Sequence, residues 1–402
     1  MMIHTLPQVS GIYWNKLALN QSDTIPPQYL SYSLHKFVSE IKGKIDECVD
    51  DWDAYKKHTN PYEYIHSSSS SNRISVCKYR PISRAFFKLV EIIDILKIPQ
   101  FDTSAKQITM FGLAEGPGGF IEAAHYFNKN PQSRFYGMTI EDPTNQDVPG
   151  WKKARGFLKH NENVILEKGA DGTGDLLSPA NFHYVVDKYC GSIDFITGDG
   201  GFDFSMDFNN QEISMTNLLF AQIAYAVCLQ KPGGSFVLKL FDCFYKPTTE
   251  MLFLLASMYT HVHIVKPNTS RAANSERYVV CTGYKLTPDA IMKNAFGAII
   301  AEMNPALYIR SLLSVKVPLY FYSKIEEVNV IFGQNQLDNI YTTLGLIETR
   351  AKKDKIDHYV RQNIQKCIQW CIRHNFDYNE PVSDNNCANI FSQKKYVQLQ
   401  AI

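Results

Sequence analysis

An α/β fold with a mostly parallel sheet covered by helices on both faces is predicted by three observations. Short apolar runs of strand type alternate with helical patterns between about residues 83 and 287. Those runs are apolar nearly throughout, as strands buried on both faces are. A glycine-rich turn, Gly116-Pro117-Gly118-Gly119-Phe120, joins the first run to the next helix, as in open sheets that bind ligands at the carboxyl edge.

Each element can be justified in order. Ser33 to Lys57 has helical spacing, with Leu34, Phe37, Ile41, Ile45 and Cys48 on one side and charges between, and stops near Asn60-Pro61. The five-serine run from Ser67 to Ser71 reads as a loop. A helix from Ser83 carries Phe86, Leu89, Val90, Ile93 and Leu96 on its apolar side. Candidate strands follow at Ile108–Leu113, Arg134–Ile140, Val164–Glu167, Ile193–Thr197, Ser235–Leu240, His261–Lys266 and Tyr278–Tyr284. Between them, Ile121–Phe127, Thr216–Leu229 and Thr248–Met258 read as helices.

After Pro288 the alternation stops. Residues 289–402 read mainly as helices, including one long charged helix from about Gln336 to Arg373 with Ile340, Leu344, Ile347 and Ile364 as its apolar positions. Its cluster Arg350, Lys352, Lys353 and Lys355 reads as a solvated packing or partner-binding face, with RNA contact as the alternative. The linear division is therefore an accessory, partly helical region at 1–75, a central domain at 76–287, and a mainly helical region at 288–402.

Composition narrows the class. The chain has 402 residues, 45% hydrophobic and 20% charged, which is ordinary for a globular protein. A formal net charge of +1 means that any polyanion-binding surface must be a local patch. Nine scattered cysteines without a secretory signal point to reduced thiols. No apolar stretch reaches the ~18 residues that span a bilayer, so no membrane partner is expected. Cys367, Cys371 and His374 have spacing for one helical face, but no second Cys/His pair lies nearby, so they read as helix packing residues and no metal site is expected.

Four segments carry the chemistry. Lys239 closes the apolar run Gly233 to Phe241, and a lysine is costly at the mouth of a core strand. Asp199 lies in Gly198-Asp199-Gly200-Gly201 where the fourth strand ends, on the same sheet edge. Lys88 sits in Ser83-Arg84-Ala85-Phe86-Phe87-Lys88, and Glu276 in Asn274-Ser275-Glu276-Arg277-Tyr278. The turn at 116–120 is neither G-x-G-x-x-G nor a P-loop, which argues against NAD and ATP. Gly172-Thr173-Gly174-Asp175-Leu176 follows the third strand and, read alone, is a Gly-Asp turn.

In chain order Lys88, Asp199, Lys239 and Glu276 resemble the Lys-Asp-Lys-Glu tetrad of FtsJ-type RNA ribose 2′-O-methyltransferases. The stretch Lys266-Pro267-Asn268-Thr269-Ser270-Arg271-Ala272-Ala273-Asn274-Ser275-Glu276-Arg277-Tyr278 is the most specific part of the likeness. Ser83-Arg84-Ala85, Gly116 to Phe120, Gly174-Asp175 and Lys239-Leu240-Phe241 occur in the same order as in that group. The resemblance covers about Ser83 to Leu286 and is nearest to the Adrift-type enzymes that methylate cap-proximal nucleotides of mRNA, found in eukaryotes and in large DNA viruses with cytoplasmic replication.

That resemblance implies a Rossmann-like fold with a seven-stranded, mostly parallel sheet, extended by helical regions at both ends. It implies S-adenosylmethionine (SAM) as methyl donor, held by Ala114, Glu115, Gly116, Pro117, Gly118, Gly119, Phe120, Asp175, Leu176 and Asp199, with no metal required. Relatives commonly have an aspartate where this chain has Gly112, so Glu115 is expected to reach the cofactor's ammonium instead. Lys239 is expected as the base, with Lys88 and Asp199 steering the hydroxyl and Glu276 holding the pair. A lysine has a reference pKa of ~10.4, and a neighbouring cation with partial desolvation disfavours its charged form.

Lys246, Arg271 and Arg277 are expected to form a basic rim for RNA. Trp14, Trp52, Trp151 and Tyr245 are the aromatics available to clamp a cap guanine. The implied partners are capped mRNA or other RNA, with further capping or transcription proteins reached through the terminal regions. The expected location is the cytoplasm, including a viral replication site or virion, with the nucleus as alternative. Ribosomal or transfer RNA as substrate, and a non-catalytic RNA-binding or scaffold subunit, are the competing readings.

Overall fold

The computed structural model describes residues 1–66, 75–142, 148, 150–201, 210–350 and 352–379. The five-serine run lies outside them. The chain forms two compact units, one of Met1–Glu47 with Pro81–Asp338 and one of Cys48–Arg80 with Asn339–Ile402.

The first part of the chain supplies β1 (Met2–Thr5), β2 (Leu17–Ser22), α1 (Tyr32–Asp46) and α2 (Val49–Thr59). The single helix expected over 33–57 is thus two, because Cys48 leaves helical geometry at φ −142° and ψ 38°. Next come α3 (Ala85–Leu96), β3 (Thr109–Leu113), α4 (Gly119–Phe127), β4 (Arg134–Met138), α5 (Arg155–His160) and β5 (Val164–Glu167). The chain continues through α6 (Pro179–Tyr189), β6 (Ile193–Gly198), α7 (Gln211–Ser214), α8 (Thr216–Leu229), β7 (Gln230–Phe241) and α9 (Lys246–Met258). It then forms β8 (Tyr259–Lys266), β9 (Glu276–Tyr284), α10 (Ala290–Glu302), β10 (Tyr308–Leu313), α11 (Leu319–Glu348) and α12 (Lys353–Arg373).

The main sheet has eight strands in the order β1-β8-β9-β7-β6-β3-β4-β5. From β7 to β5 all neighbours are parallel, whereas β9 runs antiparallel to both β7 and β8. From β3 the chain moves outward through β4 to β5, then returns to place β6 on the other side of β3. The order therefore reverses between β3 and β6, and such a switch point opens a crevice at the carboxyl ends of the strands.

The seven expected strands are all present, and the eighth is β1, which pairs antiparallel with β8 from Met2↔Lys266 to Thr5↔His263. The region after residue 288 is also not wholly helical, since β10 pairs with β2 in a second, two-stranded sheet. The long helix expected over 336–373 is interrupted between α11 and α12, where Arg350 takes φ +40°.

Burial explains the apolar runs. In β3 Met110, Phe111 and Leu113, and in β6 Ile193, Phe195 and Ile196, are each fully buried. Helix α8 is buried along nearly its whole length, from Leu219 to Leu229, which only a helix covered on all sides can be. The core of the second unit contains Trp52, Tyr64, Ile364, Cys367, Trp370 and Cys371. No group of three or more metal-ligating side chains occurs among the described residues. Among them, too, no helix is long and apolar enough to cross a membrane.

Candidate active site

Backbone hydrogen bonds knit the turns at the carboxyl ends of β3, β4, β5 and β6 into one row. Glu115 N–H donates to Met138 O at 3.2 Å, Glu141 N–H to Thr173 O at 2.8 Å, and Asp199 N–H to Leu113 O at 3.3 Å. The turn after β3 is tightly folded, with Ala114 at φ +52°, a cis Gly116–Pro117 bond and Gly118 at φ +105°. A Cβ on Gly174 would lie 2.0 Å from Thr139 O, so the Asp175 turn lies against the end of β4 because residue 174 has no side chain.

The four tetrad residues converge on this edge. Lys239 Nζ donates to Asp199 O at 2.7 Å and lies 3.3 Å from Asp199 Oδ1. Lys88 Nζ lies 2.8 Å from both carboxylate oxygens of Glu276. Strand register delivers Lys239 opposite Tyr278 and Phe241 opposite Glu276. Helix α3 delivers Lys88, and it is tied to the loop before Glu276 by Glu91, whose carboxylate accepts from Asn268 N–H and Thr269 N–H, both at 2.8 Å. All four side chains are at most 17% exposed.

Electrostatics sets the state of Glu276. Burial pushes its carboxyl up, but the charges of Lys88 and Lys239, with hydrogen bonds from Lys88 and from Ser270 Oγ at 2.7 Å, reverse this and hold it at about 2. It is an anion throughout the neutral range. Two residues missed in the sequence complete the cluster. Tyr278 is fully buried, donates its hydroxyl to Asp199 Oδ1 at 3.1 Å, and has Lys88 Nζ 6.0 Å from its ring centroid. Its signal was its place two residues after Glu276, on the same face of a strand. Lys266, buried, donates to Asn274 O and, at 2.8 Å, to Glu276 O, and burial drives its ammonium down to about 7.

Several expected roles change in the structure. Glu115 does not point outward to meet a cofactor. Its Oε1 accepts from Phe120 N–H at 2.7 Å and Ile121 N–H at 3.1 Å, capping α4, and Thr197 Oγ1 donates to Oε2 at 3.2 Å. Those two amides are therefore used inside the protein. Gly112 makes room for this side chain, since a Cβ there would meet Glu115 Cγ at 2.9 Å. Burial, with the charge of Asp199 adding to it, raises the Glu115 carboxyl to about 8.

Gly118 is constrained by the fold itself. Its positive φ and the Trp151 ring, 3.3 Å from the position of a Cβ, both exclude side chains. Phe120 is fully buried, with its ring centroid 5.7 Å from that of Tyr278. Asp175 accepts from Leu177 N–H at 2.9 Å, and Leu176 is buried.

Arg277, expected on an RNA-binding rim, is instead 2% exposed. Its guanidinium donates to Asp242 Oδ1 at 2.9 Å and stacks 4.7 Å from the Phe332 ring centroid, so it is a structural cation. Lys246 lies 3.4 Å from Glu250 Oε1 at the start of α9. Arg271 is exposed, in the loop between β8 and β9. Of the aromatics considered for a cap clamp, Trp52, Trp151 and Tyr245 are buried and Trp14 packs partly on the core.

The site fits SAM in its placement, at the carboxyl ends of the parallel strands beside the reversal of strand order. It occupies the switch-point crevice, its turns are kept free of side chains at Gly174, Gly200 and Gly201, and a Cβ on Gly201 would come within 3.1 Å of Lys239 Nζ. The access to Lys239 thus passes over a glycine.

The family model described as FtsJ-like methyltransferase matches residues 81–284. A Trypanosoma brucei brucei protein named cap-specific mRNA (nucleoside-2′-O-)-methyltransferase 1 is 29% identical over 68% of this chain and 75% of its own length. A mouse protein of the same name is 31% identical over 68% of this chain, but the match spans 33% of its length. A solved structure described as a putative ribosomal RNA methyltransferase from Plasmodium falciparum superposes on 51% of this chain and 98% of its own, with a TM-score of 0.34 and 20% identity.

Proposed function

The chain belongs to the FtsJ-like methyltransferase family, and from that premise we propose that it methylates a ribose 2′-hydroxyl in RNA, at a cap-proximal nucleotide of mRNA. The observation that carries this reading is the paired, buried tetrad Lys88–Glu276 and Lys239–Asp199 at the mouth of the switch-point crevice.

The turns after β3, β5 and β6 would hold SAM, which would supply a methyl group on a positively charged sulfur, already activated for transfer. The protein's task is to align a hydroxyl and to remove its proton. Lys239 Nζ is held by two oxygens of Asp199 and is the group assigned to accept that proton. Lys88, fixed by the Glu276 carboxylate, is assigned to steer the hydroxyl oxygen. Tyr278 buttresses Asp199 from below. The low Glu276 value keeps an anion beside the two lysines throughout the neutral range.

Cap specificity is supported by the names of the trypanosome and mouse relatives. The test is methyl transfer from SAM to matched capped and uncapped transcripts. Preference for the capped transcript supports the cap reading, and equal transfer to ribosomal or transfer RNA overturns it.

A further inference from the structure

With Arg277 buried and the net charge at +1, the expected RNA rim loses a main cation. A different basic surface is present. The stretch from Trp151 to Asn161 holds Lys152, Lys153, Arg155, Lys159 and His160 and no acidic residue. It forms a single-turn 3-10 helix at Lys152–Ala154 followed by α5. The four cations are exposed. Its beginning is fixed at the catalytic edge, because Trp151 packs against the position of a Gly118 Cβ.

Its end reaches the opposite edge, since β5 starts three residues after α5 and runs parallel to β4. There it borders an open cavity of about 680 Å³, lined also by His125, Lys129 and Arg134 from the end of α4 and the start of β4. One acidic residue, Glu162, lines it. Lys168 and Lys188, by contrast, pair with Glu141 and Glu167. Among the described residues no such carboxylate partner is recorded for Lys129, Arg134, Lys152, Lys153, Arg155 or Lys159. The distance from Lys152 to His160 is about 12 Å at the helical rise.

We propose that this basic track and cavity bind phosphates of the RNA chain beyond the nucleotide being methylated. A row of exposed cations without carboxylate partners, leading from the catalytic edge into a polar hollow, is what a flexible polyanion recognises without reading bases. The inference rests on the RNA methyltransferase reading and adds the path of the substrate.

The test compares wild type with the charge-reversed variant Arg134→Glu/Lys153→Glu/Lys159→Glu, on capped RNAs of about four and about twenty nucleotides, with binding measured across salt. All three residues are exposed, and unchanged SAM affinity checks the fold. The expected result is at least a tenfold rise in KM on the long RNA, with turnover on the short RNA retained. The salt slope of long-RNA binding should fall by about 2 to 3. Unchanged long-RNA KM and salt slope would overturn the proposal and leave the surface to an acidic protein partner. If wild type methylates neither RNA, the functional reading itself fails, which is a separate outcome.

Discussion

Two clusters of cations, one at each end of the parallel strands, handle positive charge in opposite ways. At the carboxyl end, Lys88, Lys239, Lys266 and Arg277 are buried or nearly so, and each is held by a carboxylate or by backbone oxygens. At the amino end, Lys129, Arg134 and Lys159 stand exposed around a hollow. Burial makes a charge dependent on its partner, so such groups are positioned to within a hydrogen bond and fail together. Exposure makes a charge cheap and additive, which suits holding a phosphate chain but not removing a proton. On the proposed reading, the first kind of site does chemistry and the second kind holds a substrate.

The sharpest way to break that contrast is to orphan a buried charge. Arg277→Ala leaves Asp242 buried with Lys42, at 3.5 Å, as its one remaining ion pair among the described residues. A loss of about 3–5 kcal/mol is expected, read by urea denaturation. A loss under about 1 kcal/mol, the value of a surface pair, would mean that Arg277 behaves as an exposed cation.

Two buried groups should imprint opposite pH dependences on stability. The Lys266 ammonium is lowered to about 7, so from there up to its ordinary value near 10.5 the unfolded chain holds more protons than the folded one. Stability contributed at this site therefore rises with pH across that window. Lys266→Met should remove that rise. Glu115 is raised to about 8 from 4.5, so the folded chain holds the extra proton and stability falls as pH climbs through that window. Glu115→Gln, which keeps an acceptor for Phe120 and Ile121, should flatten the fall. Thermal midpoints between pH 5 and 10 measure both, and parallel profiles for wild type and variants would contradict the assignment.

The smallest effect belongs at the other end of the strands. Lys159→Glu should change stability by no more than about 0.5 kcal/mol, since its side chain is exposed and forms no ion pair among the described residues. A larger loss in urea denaturation would mean that the hollow is a structural element.

Most of the parallel sheet was legible because its strands are apolar runs set off by turns, and burial on both faces leaves no other composition. Strand β1 was not, because Met2–Thr5 is a four-residue edge strand with half its positions exposed, too short to show a period. The β2–β10 pair was missed because its two strands lie nearly three hundred residues apart and neither is strongly apolar. Within the site, the chain order Lys-Asp-Lys-Glu was readable and the strand register does the rest.

Arg277 was misread because its burial depends on Asp242 and Phe332, which no local pattern links to it. Glu115 was misread for a similar reason. A carboxylate in a glycine turn looks open to a ligand until the missing side chain at Gly112 is seen to be the space it fills.

The central claim is that Lys239, held by Asp199, takes the proton from a ribose hydroxyl. Its most direct test is transfer of labelled methyl from SAM to a short capped RNA by wild type and by Lys239→Ala, with SAM affinity measured on both. The account predicts label at a cap-proximal 2′-oxygen for wild type. For the variant it predicts a loss on the order of 10²–10⁴-fold in rate with SAM affinity within a fewfold. Transfer by Lys239→Ala at near the wild-type rate would contradict it.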